Sequence, residues 1–167
     1  MIFRLTKKAA AKLRVKLAPA SADHPSLVDW YCNVATAQRR QFLLFTQATT
    51  QFSFWVPVTE VRRGGFGRVF RLQAVEALRD YGFTDDDLAK IVDEGPDIFT
   101  ASADRGVLGS MVDYAKMLQY TVEYQGGLQR LSRRTMNDIA NKCPMSMIGM
   151  KLPAEYLHEV LRAAGAA

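Results

Sequence analysis

Three closely spaced β-prone runs constrain this chain more than any other feature. Trp30-Tyr31-Cys32-Asn33-Val34 is aromatic and β-prone, and Phe42-Leu43-Leu44-Phe45-Thr46 is an apolar run. In Gln51-Phe52-Ser53-Phe54-Trp55-Val56, strict alternation puts Phe52, Phe54 and Val56 on one face and Ser53 and Trp55 on the other. A polar turn over residues 36–41 and a short one at Ala48-Thr49 join these runs, which predicts an antiparallel meander. Pro57 fits the end of its last strand. Residues 2–5 read as one further short strand.

Helical spacing takes over downstream. Val69, Leu72, Val75 and Leu78 predict a helix that stops near Gly82. Thr84 caps a short helix whose first turn holds Asp85, Asp86 and Asp87, carboxylates that complement the positive end of the helix dipole. Residues 97–101 read as a short strand. A long helix over residues 104–124 carries Val107, Met111, Tyr114, Met117, Leu118 and Val122 as its apolar face. Gly126-Gly127 breaks it, a further helix covers 128–141, and Pro153 opens the last one. Upstream, Thr6 caps a helix over 7–13, and 18–25 is a loop. The expected fold is α+β, one domain over residues 1–167. Its small antiparallel sheet, from the N-terminal half, packs against a helical C-terminal half.

A chain of 167 residues with 49% apolar side chains can bury a core without staples. No apolar run approaches membrane-spanning length. The N-terminus lacks the apolar stretch and cleavage site of a signal peptide, so a cytoplasmic location is expected and no membrane partner. Cys32 and Cys143 are far apart and form no C-x-x-C, which leaves two free thiols as the plain reading. The net charge of +5 is unevenly spread. Residues 1–79 carry 13 Lys and Arg against 4 Asp and Glu, and residues 80–167 carry 9 against 13. Either the two halves attract each other within one fold, the plainer reading for a globular chain, or the basic half faces an anionic partner.

Four segments carry a family resemblance: Arg4-Leu5-Thr6-Lys7-Lys8; residues 30–40 with the apolar strand after them and Thr46; the Asp104-Arg105 pair; and Asn141-Lys142-Cys143-Pro144-Met145 with Pro153 and Leu157. Together they resemble an uncharacterised family of small bacterial cytosolic proteins, a domain of unknown function. In some members it precedes a module like the third open reading frame product of a bacterial plasmid. The W-x-x-N-x-x-T-x-x-R-R spacing from Trp30 to Arg40 is the most specific part, whereas Gly64-Gly65-Phe66-Gly67 departs from the family's pattern. The resemblance implies a bacterial cytosolic origin and one domain; it carries no activity, cofactor or catalytic residue.

The candidate binding residues are Trp30, Asn33, Thr36, Arg39, Arg40, Asp104 and Arg105. Arginine offers a planar fork of donors suited to phosphate or carboxylate, Asn both donor and acceptor, and Trp30 a ring for stacking. Each has a structural counterpart: Asn33 and Thr36 bonding turn backbone, Trp30 in the core, the arginines solvated or paired with Asp, and Asp104 as a helix cap. Three other basic segments stand out. Residues 62–68 are arginine- and glycine-rich without a phosphate-loop motif and read as a linker. Arg130, Arg133 and Arg134 follow a glycine turn in the outline of a helix-turn-helix. Lys7, Lys8, Lys12, Arg14 and Lys16 read as a solvated helix face. His24 and His158 belong to no hydrolase or metalloprotease motif, so no catalytic residue, metal or cofactor is expected. The functional expectation is a non-enzymatic binding module for a nucleic acid or an acidic protein surface, the latter including a toxin or defence complex that it would inhibit. The alternative is an enzyme acting on a phosphorylated or carboxylated small molecule, with Arg39, Arg40 and Arg105 as anion clamps.

Overall fold

A computed structural model describes residues 1–19 and 25–165. His24 and most of the expected 18–25 loop lie outside the described residues. Strand β1 (Ile2–Leu5) is followed by α1 (Lys7–Leu13), then by β2 (Asp29–Ala37), β3 (Arg40–Gln47) and β4 (Ser53–Pro57). Three helices follow: α2 (Val58–Gly64), α3 (Phe66–Asp80) and α4 (Asp85–Ile91). Strand β5 (Ile98–Ala101) precedes α5 (Arg105–Tyr124), α6 (Arg133–Asn141) and α7 (Pro153–Gly165). The α+β class and the N-terminal placing of most of the sheet stand as the sequence predicts.

The sheet is mixed, in the order β4-β3-β2-β1-β5. The meander β2-β3-β4 is antiparallel, but β1 runs parallel to both β2 and β5. The crossover through α1 makes the first parallel pairing feasible, and the long excursion through α2, α3 and α4 makes the second. Local alternation is the same for either direction and does not distinguish them.

Helices cover both faces. On one, Phe3, Leu5, Trp30, Phe45 and Phe54 pack with α1, α2, α3, α4 and α7; on the other, Tyr31, Phe42, Leu44 and Trp55 pack with α5 and α6. Phe70 of α3 is the hub of the first core, its ring centroid 4.8 Å from Phe3, 4.9 Å from Phe45 and 5.3 Å from Trp30. That ring fixes the rotation of α3, so the buried face is Val69, Phe70, Gln73, Ala74, Ala77 and Leu78. Leu72, expected inside, is 61% exposed, because a strict spacing of three drifts around a helix of 3.6 residues per turn.

Caps behave as the sequence predicts. The Thr6 hydroxyl accepts from Ala9 N, Thr84 forms a capping box with Asp87, and Asp104 accepts from Gly106 N and Val107 N. The helix expected over 128–141 is split. A 3-10 turn at Leu128–Arg130 comes first, and α6 starts afresh at Ser132, whose hydroxyl caps it. Helix α2 falls where no helix is expected, and the turn at 36–41 shrinks to two residues.

One contact seals the sheet. Asn141 Oδ1 accepts from Ser53 N at 2.8 Å while its Nδ2 donates to Ser53 O at 2.7 Å; four residues earlier, Asn137 Oδ1 accepts from Trp55 N at 3.1 Å. Both asparagines are buried, and they satisfy the outer edge of β4 as a sixth strand would. Asn141→Ala would orphan a buried donor and a buried acceptor. It is expected to cost about 2–4 kcal/mol in denaturant unfolding.

Candidate anion-binding groove

Ala37 pairs with Arg40, so only Gln38 and Arg39 turn the β2–β3 hairpin. Both have positive φ, 44° and 64°, the sense that suits the twist of a tight hairpin. Asn-Gly is the usual pair in such turns; Gln and Arg adopt this backbone at a cost on the order of 1 kcal/mol each. The turn is held from outside. Leu128 N donates to Gln38 Oε1 at 2.8 Å, and Gln119 Nε2 of α5 donates to Thr36 O at 3.0 Å. Arg39 and Arg40 are exposed at its tip.

Next to this tip, β4 ends and α2 begins. Phe42 of β3 faces Pro57 of β4, and one residue later the chain enters α2. Its last turn carries Arg62 and Arg63, both exposed. The four arginines rim a groove of about 640 Å³ with Phe42, Pro57 and Val58 in its wall. Arg62 also borders a second depression, of about 500 Å³, with Lys12 and Arg14 at the end of α1. Arg40 borders a third, of about 160 Å³, with Leu128, Leu131 and Arg133. One basic track therefore runs from α1 past α2 to the hairpin tip and the start of α6.

Among the described residues, no carboxylate lies within 4.0 Å of the cationic nitrogens of Lys12, Arg14, Arg39, Arg40, Arg62 or Arg63. Glu60, the acid of the groove wall, is engaged by Arg133 Nη2 at 2.9 Å. The expected attraction between the charge halves is met at Arg71–Asp97 (2.7 Å) and Arg79–Asp85 (2.8 Å), away from the groove. Six unneutralised cations on one track repel one another and make the local potential positive, which attracts an anion.

The other candidate residues scatter. Trp30 must be corrected: it is a core residue, fully buried against Phe54 and Phe70, with Nε1 at 3.5 Å from Ile91 O, and it has no free ring face for a ligand. Asn33 is a structural tie. Its Oδ1 accepts from Thr6 Oγ1 at 3.0 Å and from Val34 N at 2.8 Å, joining β2 to the start of α1. Thr36 lies within β2, and its carbonyl moors α5. Asp104 caps α5. Arg105 is exposed at the first turn of α5, while Gln119, near the other end, meets the hairpin; at 1.5 Å per residue they are about 21 Å apart along the axis. The three-arginine clamp of Arg39, Arg40 and Arg105 is therefore not assembled.

The basic helix after Gly126-Gly127 is tied back. Arg133 reaches Gln73 and Glu60, and Arg134 reaches Asp80 O and Asp138, its guanidinium 3.8 Å above the Tyr81 ring. His158 bonds Tyr81 O at 3.0 Å and stacks on Phe83. Cys32 and Cys143 are free, and full burial pushes the Cys32 thiol far above its ordinary pKa, so it is no nucleophile.

Sequence reasoning placed Arg39 and Arg40 but read Arg62 and Arg63 as linker and Lys12 and Arg14 as solvated surface. The missing signal is the Phe42–Pro57 register, which folds residues 57–63 onto the hairpin.

The class defined by this geometry is an α+β domain, helices on both faces of a mixed sheet, with an unneutralised basic groove at the hairpin end. The chain belongs to the family described as Domain of unknown function (DUF6933), which matches residues 2–156. No curated protein and no solved structure matches it.

Two substitutions probe this description. Arg39→Gly should raise stability by about 0.5–1 kcal/mol in denaturant unfolding by relieving the positive-φ turn. Asp104→Ala should lower it by about 1 kcal/mol through loss of the cap and leave groove binding unchanged.

Proposed function

We propose that this chain is a non-enzymatic binding module whose anionic partner, a nucleic acid or an acidic protein surface, sits in the groove between the hairpin tip and α2. One observation carries the reading. Arg39 and Arg40 from the hairpin and Arg62 and Arg63 from α2 rim one groove without carboxylate partners among the described residues. Guanidinium forks in this arrangement donate paired hydrogen bonds to phosphate or carboxylate oxygens. Lys12 and Arg14 extend the track beyond the reach of a single small anion, which favours an extended partner. A bacterial cytoplasmic setting belongs to the same proposal, and the two free thiols fit a reducing compartment. Among the described residues no helix is long and apolar enough to cross a membrane.

Heparin supplies a generic polyanion for the test. The protein should be retained at low salt and elute as salt rises, because cations that neutralise a polyanion release its counterions. Arg39→Ala/Arg40→Ala should elute at clearly lower salt, with stability changed by no more than about 1 kcal/mol per exposed charge. Arg105→Ala, which removes an equal charge at the far end of α5, should elute nearer the wild-type position. Flow-through of the wild type at low salt, or coincident elution of the double variant and wild type, would overturn the proposal.

A further inference from the structure

Three of the chain's seven methionines crowd into the segment Met145-Ser146-Met147-Ile148-Gly149-Met150, between α6 and α7. The segment is a closed loop. Met145 N donates to Lys151 O at 3.0 Å, and Met145 O accepts from Ile148 N at 3.2 Å and from Met150 N at 2.9 Å. Gly149 and Met150 turn the chain back, both with positive φ, 69° and 62°. The antiparallel bridge between Met145 and Lys151 brings Met145 and Met150 side by side, and Met147 sits in the 3-10 turn (Ser146–Ile148) between them. These tight turns hold the three backbones within the combined reach of two Met side chains.

The fold makes little use of these thioethers. Met147 is 46% exposed and Met150 65%, whereas Met1, Met111 and Met136 are buried in the two cores. Met150 also occupies a left-handed backbone that glycine or asparagine adopts at less cost. Met147 lies over the first turn of α5, its Sδ 2.5 Å from where a Gly106 Cβ would stand, with Asp104 Oδ1 3.2 Å from the same point. Met145 is half-buried beside the core of α5 and α6. The lysines that flank the loop are engaged elsewhere, Lys142 by Asp138 at 3.0 Å and Lys151 by Glu159, so neither is a bare charge that would repel a cation.

We infer that this loop is a soft-metal site, in which the thioethers of Met145, Met147 and Met150 hold one Cu(I) ion. A thioether sulfur is neutral and polarizable, and it favours Cu(I). Zinc takes thiolate, imidazole or carboxylate ligands, and magnesium and calcium take oxygen. Among the described residues no three His, Cys, Asp or Glu side chains cluster as a metal site, so the loop's donors are the soft ones alone. Cys143 lies two residues outside the closure at Met145 and is not one of the ligands. The site is independent of the arginine groove, and neither reading depends on the other.

Silver(I) nitrate is the probe, an ion of the same charge and softness as Cu(I) that keeps its oxidation state in water. The full chain carrying Cys143→Ser is used, which removes the half-exposed thiol and leaves only the buried Cys32. Silver should bind it one to one. In methionine methyl NMR spectra the resonances of Met145, Met147 and Met150 should shift, while those of Met1, Met111, Met117 and Met136 stay in place. Met147→Leu and Met150→Leu, which conserve volume at exposed positions, should each weaken binding about tenfold or more with thermal melting unchanged. Thioethers carry no proton, so affinity should be level from about pH 5 to 8, where a thiolate site weakens on acidification. Zinc chloride should move none of the three methyls. No silver binding by Cys143→Ser, shifts spread over all seven methyls, affinity unchanged in both Leu variants, or affinity that falls with acidification would each overturn the inference. The methyl shifts decide the matter even where a Leu variant fails to fold.

Discussion

The ion pair between Arg4 and Asp29 holds the sheet in register. Arg4 Nη2 and Nε reach Asp29 Oδ2 at 2.7 and 3.2 Å, the Ser26 hydroxyl donates to Asp29 Oδ1 at 2.8 Å, and both charged residues are buried. A buried pair is a poor source of net stability, because desolvation offsets much of the attraction, yet either charge left alone is prohibitive. It therefore specifies rather than strengthens. A slip of β1 by one residue would put Arg4 where Phe3 and Leu5 belong, in the aromatic core. Because β1 is parallel to both neighbours, its register also sets β5. Ser102 N then donates to Leu5 O at 3.0 Å and delivers the chain to the cap of α5. Helix α5 in turn braces the hairpin that carries Arg39 and Arg40. The placing of the groove is thus downstream of one salt bridge on the far side of the sheet.

The two cores divide the labour. The Phe3, Phe45, Phe54 and Phe70 cluster is a tight set of edge-on and stacked rings that fixes α3, and through the turn at Gly65 it fixes α2. The opposite core holds α5 and α6. The groove lies at the hairpin end, where β3 and β4 meet α2, with Phe42 and Val58 of the two cores in its wall. Its cations stay in contact with water, where leaving them unneutralised is tolerable. Strain in the Gln38–Arg39 turn follows the same logic, since a stability-optimised turn would place glycine at Arg39.

What could be read from the sequence was local. Thr6, Thr84 and Asp104 announce helix starts because a cap needs only three or four residues to be recognised. The strands between Trp30 and Val56 follow from their own alternation. The rest depended on contacts distant in sequence. Strand β1 pairs with β5, about ninety-five residues away, and α3 is oriented by Phe70 finding four strand aromatics rather than by its own spacing. Trp30 was legible as a strand residue, but the choice between a stacking surface and the core stayed open, because a tryptophan in a β-run looks the same facing helices or water. Of the groove, Arg39 and Arg40 were legible, being next to each other at a turn. Arg62 and Arg63 were not, since what joins them to that turn is a strand register and an unexpected helix.

The asparagines of α6 carry one last consequence. Ser53 and Trp55 offer outward backbone groups that another chain could zip onto; Asn141 occupies the N–H and C=O of Ser53 and Asn137 the N–H of Trp55. On the opposite border Ala18 does the same for β5, donating to Phe99 O and accepting from Ala101 N. With both borders occupied at these positions, main-chain pairing there is closed to oligomerisation and to capture of extended peptides.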